Sequence, residues 1–292
     1  MVAGKASFGR KIFLAVNTFS LLMLAVITLY PFLYVAAASL SDRLFIIQGK
    51  IGIIPQGFNT YAYQSVFKFP YIWTSYGNTI KYLILGTSIN MLLTVMGAYP
   101  LSRDQFIGRN FFSFLLVFTM WFNAGIIPLF LVVRTLKLYN TIWAMVLPSA
   151  ISTYNLIVVR TFFKSQPVEM EEAALIDGCN DFQVLIRIIL PLSVPVLMTI
   201  MLFYMVGHWN SYMPALMYLR EKKYYPLQII LRELVLESLV NDVMMENEFG
   251  QPITVESVKY ATIIVATVPI LCVYPFIQRY FVRGVMIGAI KG

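Results

Sequence analysis

Six apolar stretches separated by polar segments follow one another along the chain. They cover about residues 12–40, 77–101, 111–133, 140–162, 190–219 and 260–281. Each is long enough for a helix that crosses the hydrocarbon core of a bilayer, which takes about 20 residues. The pattern therefore predicts an all-α, polytopic membrane protein with six transmembrane helices. Prolines inside these stretches predict kinked helices that pack against one another.

The composition agrees with a membrane protein. Hydrophobic residues make up 59% of the 292, charged residues make up 12%, and mean hydropathy is +0.74. A formal net charge of +8 could indicate a nucleic-acid partner. The Lys and Arg residues are spread over the connecting segments instead, which favours contact with lipid headgroups. Cys179 and Cys272 stand in different environments and predict no disulfide framework.

The N-terminal stretch also has features of a secretory signal. Lys5, Arg10 and Lys11 precede it, and alanines occupy residues 36–38. Its charge-free run exceeds the roughly 7–15 residues of a signal core, so we expect a retained first span. Six spans place both termini on one side of the membrane. Cations fall equally on the two sides, so only the N-terminal cluster favours termini inside.

The interiors of the spans carry no Asp, Glu, Lys or Arg. The charge-free segments are residues 12–39, 82–100, 111–133, 140–159, 191–219 and 260–278. Carriers driven by ion gradients normally bind the coupling ion through intramembrane acids or bases, and His208 alone is a weak proton relay. We find no metal-ligand pattern, no Ser/His/Asp arrangement and no glycine-rich phosphate loop. The chain is therefore predicted to be no enzyme and to bind no cofactor or metal itself.

One polar segment interrupts the apolar pattern: PVEMEEAALIDGCNDFQVLIRIILPLSVP, residues 167–195. Pro167 suits the first turn of a helix, and Glu169, Glu171 and Glu172 complement the positive end of its dipole. Gly178 can adopt the left-handed conformation that ends a helix. The segment thus predicts a short helix followed by a sharp turn.

A second short helix is predicted after this turn. Asn180 or Asp181 can cap it, and one apolar stripe is formed by Phe182, Leu185, Ile186 and Ile189. Helices of about ten residues are marginal alone in water, so the pair needs a surface to lie against. Docking to a partner protein and an ordinary solvated loop both fit these residues.

The spacing within the segment resembles the EAA signature of ABC importer permeases at every fixed position. The signature reads EAA, three residues, G, nine residues, I-x-L-P, and it falls here on Glu172, Ala173, Ala174, Gly178, Ile188, Leu190 and Pro191. The resemblance implies that a loop at about residues 163–190 is cytoplasmic and contains a coupling helix for an ATP-binding subunit. It assigns ATPase coupling to these residues together with Glu171 and Asp177.

Three flanking stretches extend the resemblance over nearly the whole chain. GNTIKYLILGTSINMLLTVMGAYPLSR (77–103), GHWNSYMPALMYLREKKYYPLQIILRE (207–233) and QRYFVRGVMIGAIKG (278–292) resemble carbohydrate-uptake permeases of the maltose type, in the LplC- and YtcP-like branch. The resemblance implies the type I (MetI-like) permease fold in the bacterial cytoplasmic membrane. It implies one domain over residues 1–292, with outer loops at about 41–76 and 220–259.

The resemblance also implies partners and a substrate. The partners are a second homologous permease, a dimer of ATP-binding subunits that carries the ATP and Mg, and an extracytoplasmic sugar-binding protein. The substrate is an oligosaccharide of a complex or acidic polysaccharide. The tail at 284–292 reaches towards the ATP-binding subunits by resemblance, whereas its composition alone fits a frayed end. A permease for peptides or amino acids shares the EAA signature and is the alternative, followed by a gradient-driven carrier.

Candidates for the substrate pathway come from neutral polar and aromatic residues, which suit a polyhydroxylated ligand. They are His208, Trp209, Asn210 and Tyr212 at the outer end of span five, and Asn78 and Asn90 on span two. An interfacial aromatic belt would also explain Trp209 and Tyr212. The two asparagines could instead serve only as hydrogen bonds between helices.

Overall fold

The described part of the chain is almost wholly helical. The computed structural model describes residues 8–122, 124–240, 245–246, 252–253 and 255–289. Lys5 of the N-terminal cluster, most of residues 241–254 in the second outer loop, and residues 290–292 of the tail lie outside this description. The helices are α1 (Phe8–Ser39), α2 (Arg43–Ile47), α3 (Tyr61–Lys68), α4 (Ile72–Ser102), α5 (Arg109–Trp121), α6 (Ile126–Thr135), α7 (Ile142–Val146), α8 (Thr153–Lys164), α9 (Val168–Ile176), α10 (Asp181–Val184), α11 (Leu190–Leu192), α12 (Val194–Trp209), α13 (Met213–Tyr218), α14 (Leu227–Val240) and α15 (Val255–Ala289).

Short irregular elements complete the described residues. Leu147–Ser149 and Lys222–Tyr224 form 3₁₀ turns, and Leu185–Ile189 forms a π-helical turn. The strands β1 (Met245–Glu246) and β2 (Pro252–Ile253) pair antiparallel over two residues each. The predicted all-α fold is confirmed.

All six predicted apolar stretches correspond to helices or bent helix pairs that are long and apolar enough to cross a membrane. Three are single: α1, α4 and the Val255–Phe276 part of α15. Three are bent pairs: α5 with α6, the 142–149 helix with α8, and the 181–192 helix with α12. The last two pairs bend by 52° and 82°.

The breaks within the pairs have local causes in the sequence. Gly125 precedes α6 with a φ of +85°, which glycine adopts without steric strain. Pro148 lies in the 3₁₀ turn that ends the 142–149 helix, and Ser152 then caps α8 by accepting a hydrogen bond from the Asn155 amide at 3.4 Å. Pro148 thus lies at a break, whereas Pro31, Pro100, Pro269 and Pro275 lie inside helices that remain single.

The chain divides into two compact units, residues 1–70 with 233–267 and residues 71–232 with 268–292. In the first unit, Ala37, Ala38 and Ile51 form a small buried cluster. The rings of Tyr34 and Tyr260 meet edge to face at 6.0 Å beside it. The prediction of one permease domain over residues 1–292 stays a prediction.

The second unit is built around α4, which packs against α8 and α12. One buried cluster in this unit is formed by Ala98, Leu101, Leu156, Val159, Phe163, Ala174, Val184, Leu185, Ile189, Ile200 and Tyr204. Two glycines of α4 allow close packing: an added Cβ at Gly97 would lie 2.9 Å from a methyl of Leu156, and Gly86 lies against His208. The cluster contains residues of both α4 and the segment with the EAA signature.

Candidate coupling loop and translocation cavity

A tight turn connects the two helices that carry the signature. The Cys179 amide donates to the Ala174 carbonyl at 2.9 Å, and the Gly178 amide donates to the Leu175 carbonyl at 3.0 Å. These two bonds form a Schellman motif at the end of α9. Gly178 has a φ of +86°, in the left-handed region that favours glycine. The turn predicted at Gly178 is therefore present.

A capping box begins the next helix. Asn180 Oδ1 accepts from the Gln183 amide at 2.9 Å, and the Asn180 amide donates to Gln183 Oε1 at 3.0 Å. Asn180, and not Asp181, is thus the cap. The helix widens into its π turn just before Pro191, which has no amide hydrogen to donate. An 82° bend then leads into α12.

Some signature residues face the interior of the chain. Ala174 is 6% exposed and belongs to the same buried cluster as Phe163 and Val184. Ile188 and Leu190 are half-buried against that cluster. The small side chain of Ala174 therefore allows α9 to lie close to its own chain.

Glu171 also turns inward, towards the end of α4. Its carboxylate pairs with the guanidinium of Arg103 at 2.5 Å, and that guanidinium lies 4.8 Å from the ring centroid of Tyr99. The Tyr99 hydroxyl donates to the Asp181 carbonyl at 3.1 Å. Burial raises the pKa of Glu171 above its ordinary value and outweighs the opposite effect of Arg103. Side chains from the end of α4 thus contact both helices of the loop.

The remaining signature residues face outward. Glu172, Ala173, Asp177, Gly178 and Pro191 are all exposed. Large apolar side chains are exposed around them: Val168, Met170, Leu175, Ile176, Phe182 and Ile186, with Ile176 at 86%. We call this exposed surface of residues 168–191 the outer face of the loop. An apolar patch bordered by carboxylates is typical of a protein interface.

The predicted apolar stripe of the second helix is divided between the two faces. Leu185 and Ile189 are buried, whereas Phe182 and Ile186 are exposed. The segment therefore uses two apolar surfaces, one inside the chain and one outside.

A second ion cluster lies on the short connection between α4 and α5. The carboxylate of Asp104 pairs with Arg109 and with Lys164 Nζ, the latter at 3.2 Å. The hydrogen bond from Lys164 is the main cause that lowers the pKa of Asp104 below its ordinary value. Arg160 adds a bond from Nε to the Leu101 carbonyl at 3.0 Å. The end of α4 is thus tied to α8 as well as to the loop.

A neutral hydrogen-bond network lies further along α4. The Asn90 side-chain nitrogen donates to the carbonyls of Ser149 at 2.6 Å and Ala150 at 2.9 Å. Asn90 Oδ1 lies 2.6 Å from His208 Nε2, which donates to it. Asn90 and His208 are fully or nearly fully buried. One amide therefore joins α4, the break before α8, and the end of α12.

Gly86 lets the His208 ring lie against α4. A Cβ at residue 86 would overlap Nε2 and Cε1 of that ring and would lie 2.9 Å from its Cδ2. No larger residue fits there unless the ring moves.

Tyr204 makes a parallel connection. Its hydroxyl lies 2.8 Å from the Thr94 hydroxyl and accepts from the Ser152 amide at 3.2 Å. The break before α8 is therefore held from two sides by polar side chains of α4 and α12.

A cavity of about 520 Å³ opens beside this network. It is lined by Met145, Ser149, Ile151, Ser152, Asn155, Phe203, Tyr204, Gly207, His208, Asn210, Ser211, Tyr212, Met213 and Pro214. The lining combines hydroxyl, amide and imidazole groups with aromatic and apolar surface, and none of these residues is an acid, a lysine or an arginine. Its volume is in the range of small-molecule sites.

Three of the six predicted pathway residues line the cavity: His208, Asn210 and Tyr212. The other three do not. Asn90 supports the lining through its bonds, and Trp209 is buried with its ring 6.5 Å from that of Tyr76. Asn78 donates instead to the carbonyls of Lys223 at 2.7 Å and Tyr225 at 3.2 Å.

The sequence prediction missed the contribution of span four. Ser149, Ser152 and Asn155 line the cavity with Tyr204 and Ser211. The available signal was the short polar run around Pro148, which interrupts an otherwise apolar stretch. Its residues lie at the break, where the backbone leaves its helical hydrogen bonds and the side chains turn towards the cavity.

Within the described residues, no group of three or more His, Cys, Asp or Glu side chains could hold a metal ion. Cys179 and Cys272 are free thiols.

The helices and the bent, partly exposed loop define the all-α, polytopic membrane permease fold of the type I ABC importer class, with up to six spans among the described residues if each bent pair is one span. The chain belongs to the family of binding-protein-dependent transport system inner membrane components, whose model matches residues 90–287. It is a transport subunit embedded in the membrane.

Individual relatives cover almost the full chain. The polygalacturonan/rhamnogalacturonan transport system permease protein YtcP of Bacillus subtilis is 43% identical over 93% of this chain and 96% of its own length. Protein LplC of the same organism is 41% identical over 91% of this chain and 90% of its own. The resemblance to the LplC- and YtcP-like branch is thus confirmed.

A solved structure shares the fold. The crystal structure of a bacterial ABC transporter involved in the import of the acidic polysaccharide alginate matches with a TM-score of 0.83 and 35% identity, over 96% of this chain and 100% of that chain.

Proposed function

We propose that the chain forms half of the translocation pathway of an ATP-driven importer of oligosaccharides. The observation that carries the proposal is the division of the EAA segment. Ala174 and Glu171 attach it to its own chain, while Glu172, Ala173 and Asp177 remain exposed among apolar side chains. A surface of this composition fits a protein partner, and the family membership favours an ATP-binding subunit.

Two such loops, one from this chain and one from a second homologous permease, would engage a dimer of ATP-binding subunits. ATP and Mg would bind to that dimer, and this chain would bind no cofactor. Closure of the dimer would draw the two loops together and reorient the spans, a rigid-body form of alternating access. The free energy comes from ATP and from a loaded binding protein on the opposite side of the membrane.

The substrate proposal rests on the relatives and on the cavity. YtcP is named for polygalacturonan and rhamnogalacturonan, and the similar structure belongs to an importer of alginate. These names favour a carbohydrate, in particular an acidic one, over a peptide. The cavity beside His208 offers neutral hydrogen-bonding groups and aromatic faces, which suit a chain of sugar rings. We assign this cavity to the pathway.

The coupling role is tested with Glu172→Lys in the complete transporter reconstituted into proteoliposomes. Charge reversal on the outer face should release the ATP-binding subunits and lower ATP-dependent uptake at least tenfold. Glu237→Lys is the matched control, because Glu237 is an exposed acid on α14, outside the loop. Normal co-purification and normal uptake in Glu172→Lys would refute the coupling role.

The orientation is tested separately, with both termini and the loop proposed to lie in the cytoplasm. Ile176 is 86% exposed on the loop, so Ile176→Cys in a background without Cys179 and Cys272 provides a reporter. A membrane-impermeant maleimide should label it in inside-out vesicles and not in right-side-out vesicles. The reverse pattern would contradict the importer.

A further inference from the structure

Arg232 stands out among the cations of the second unit. In the described part of the chain, three cations lie over aromatic rings: Arg103 over Tyr99, Lys223 over Tyr224, and Arg232 over Tyr212, each 4.8 Å from the ring centroid. The first two cations are also neutralised by carboxylates. Arg103 pairs with Glu171 at 2.5 Å, and Lys223 pairs with Glu221 at 2.6 Å.

No carboxylate among the described residues pairs with Arg232. Its side chain is exposed and contacts the face of the Tyr212 ring. An aromatic face holds a guanidinium in place without cancelling its charge. The planar group therefore keeps its donors available for a ligand carboxylate, which it can bind in a bidentate manner.

The ring beneath Arg232 belongs to the cavity. Tyr212 is a lining residue, and its hydroxyl is buried without a hydrogen-bond partner in the described part of the chain. The same holds for the hydroxyl of its neighbour Ser211. Buried hydroxyls normally have partners, so these two point to a polar ligand that supplies them.

The charges around the cavity favour an acidic ligand. The lining has no acid to neutralise or repel a ligand carboxylate, and no arginine or lysine of its own to attract one. A cation 4.8 Å from the centroid of a lining ring is therefore the charged group that the described structure places next to the cavity.

We propose that Arg232, held over Tyr212, is a specificity-determining residue that recognises the carboxylates of a uronic-acid oligosaccharide in this cavity, with the hydroxyls of Ser211 and Tyr212 binding the sugar. The assignment rests on the proposed function and adds to it Arg232 as the group that binds the carboxylates of the acidic sugar.

The test uses two probes with the same sugar backbone, one with free carboxylates and one with methyl esters in their place. Trigalacturonate and its fully methyl-esterified form have the same linkage, and the ester carries no carboxylate. Uptake of each is measured at sub-saturating concentration in the reconstituted transporter with its binding protein. Arg232→Gln should lower uptake of the acid about tenfold and change uptake of the ester less than about twofold. Arg232→Lys, which keeps the charge but not the planar fork, should fall between.

Two controls separate this role from a structural one. Arg220→Gln removes another exposed arginine upstream of α14 and should leave both uptake rates unchanged. An equal loss of both probes in Arg232→Gln, or no loss of the acid, overturns the assignment. Wild-type uptake of a neutral oligosaccharide with no uptake of either galacturonide overturns it as well, while the proposed function stands. Absence of uptake of every saccharide overturns both.

Discussion

The end of α4 and its middle contact their neighbours with different chemistry. At one end, Arg103 and the adjacent Asp104 make ion pairs with Glu171, Arg109 and Lys164, close to solvent. Near the middle of the helix, Asn90 uses a buried, uncharged amide to join His208 and two carbonyls. The loop packed against this end keeps charged and apolar side chains exposed, on its outer face. The amide of Asn90 has its hydrogen bonds satisfied within the chain, and the network that it forms borders the cavity.

This difference between the two regions of α4 predicts different effects for substitutions in each. Ion pairs near solvent contribute about 0–1 kcal/mol each, whereas an unsatisfied buried polar group costs about 1–3 kcal/mol. Substitutions in the neutral network should therefore act mainly on stability. Substitutions on the outer face of the loop should act mainly on coupling, because that face supports little of the fold of this chain alone.

The largest effect is expected at Gly178. Gly178→Val should abolish ATP-dependent uptake, because a β-branched residue is strongly disfavoured at a φ of +86° and the turn must change. Nothing lies within 4 Å of the position of a new Cβ, so the cause would be the backbone and not a clash. Gly178→Asn should retain part of the uptake, since asparagine tolerates the left-handed region. Uptake and co-purification of the ATP-binding subunits are the measurements.

Gly52→Val serves as the control for this prediction. A Cβ added at Gly52 would also have nothing within 4 Å, and the φ of Gly52 is outside the left-handed region. Equal activity of Gly178→Val and wild type would show that the turn is not required for coupling.

The second effect concerns Asn90. Asn90→Ala should lower the free energy of unfolding by about 2–4 kcal/mol, because the Ser149 and Ala150 carbonyls and His208 lose their partner together. A lower Tm in detergent measures the loss, with Asn17→Ala on the exposed surface of α1 as control. An unchanged Tm would mean that water or His208 replaces the lost bonds.

The third effect concerns the close contact at Gly86. Gly86→Ala should destabilise the protein by about 1–3 kcal/mol, since the new methyl group overlaps the His208 ring. Gly77→Ala, in the same helix with nothing within 4 Å, should be neutral or stabilising by up to about 1 kcal/mol. Thermal unfolding of the two variants side by side decides the matter, and equal Tm values would contradict the packing.

The smallest effect is expected at Glu171. Its pKa in the folded state is raised, so the folded state binds the proton more tightly than the unfolded state does. The stability it contributes is present below the ordinary pKa of 4.5 and is lost as pH rises through the raised value. Glu171→Gln should therefore flatten the dependence of Tm on pH just above 4.5, with little change at pH 7.

Arg103→Ala is the informative partner of this variant. It leaves the half-buried carboxylate without its cation, so it should lower Tm at pH 7 more than Glu171→Gln does. A larger loss in Glu171→Gln would show that the ion pair stabilises the fold more than burial of the carboxylate opposes it.

Local features of the loop could be predicted from the sequence, and long-range ones could not. The turn at Gly178 and the cap near Asn180 follow from residues within one helical turn. The different directions of Glu171 and Glu172 do not follow from local residues. Neighbouring residues of a helix differ by about 100° in direction, and which of the two faces inward depends on Arg103, which is distant in the chain. Only the packed structure identifies which carboxylate is left for a partner.

The cavity shows the same limit. The chemistry of His208, Asn210 and Tyr212 predicts a shared site, and they line the cavity together. Trp209 lies between them in sequence, but it is buried with its ring beside that of Tyr76. Ser149 and Ser152 reach the cavity because the span breaks there, and a search for long apolar stretches treats such a span as continuous.

The continuity of α4 has a mechanical consequence. Its 31 residues form one helix about 46 Å long, whereas the spans of α8 and α12 each contain a sharp bend next to it. Helices bend most easily where backbone hydrogen bonds are already missing. We therefore expect α4 to move as a rigid helix, while the spans of α8 and α12 change their angle at the breaks. A displacement at Arg103 would then pass along the helix backbone to Gly86, about 25 Å away, with Pro100 as the one position between them that cannot donate a backbone hydrogen bond.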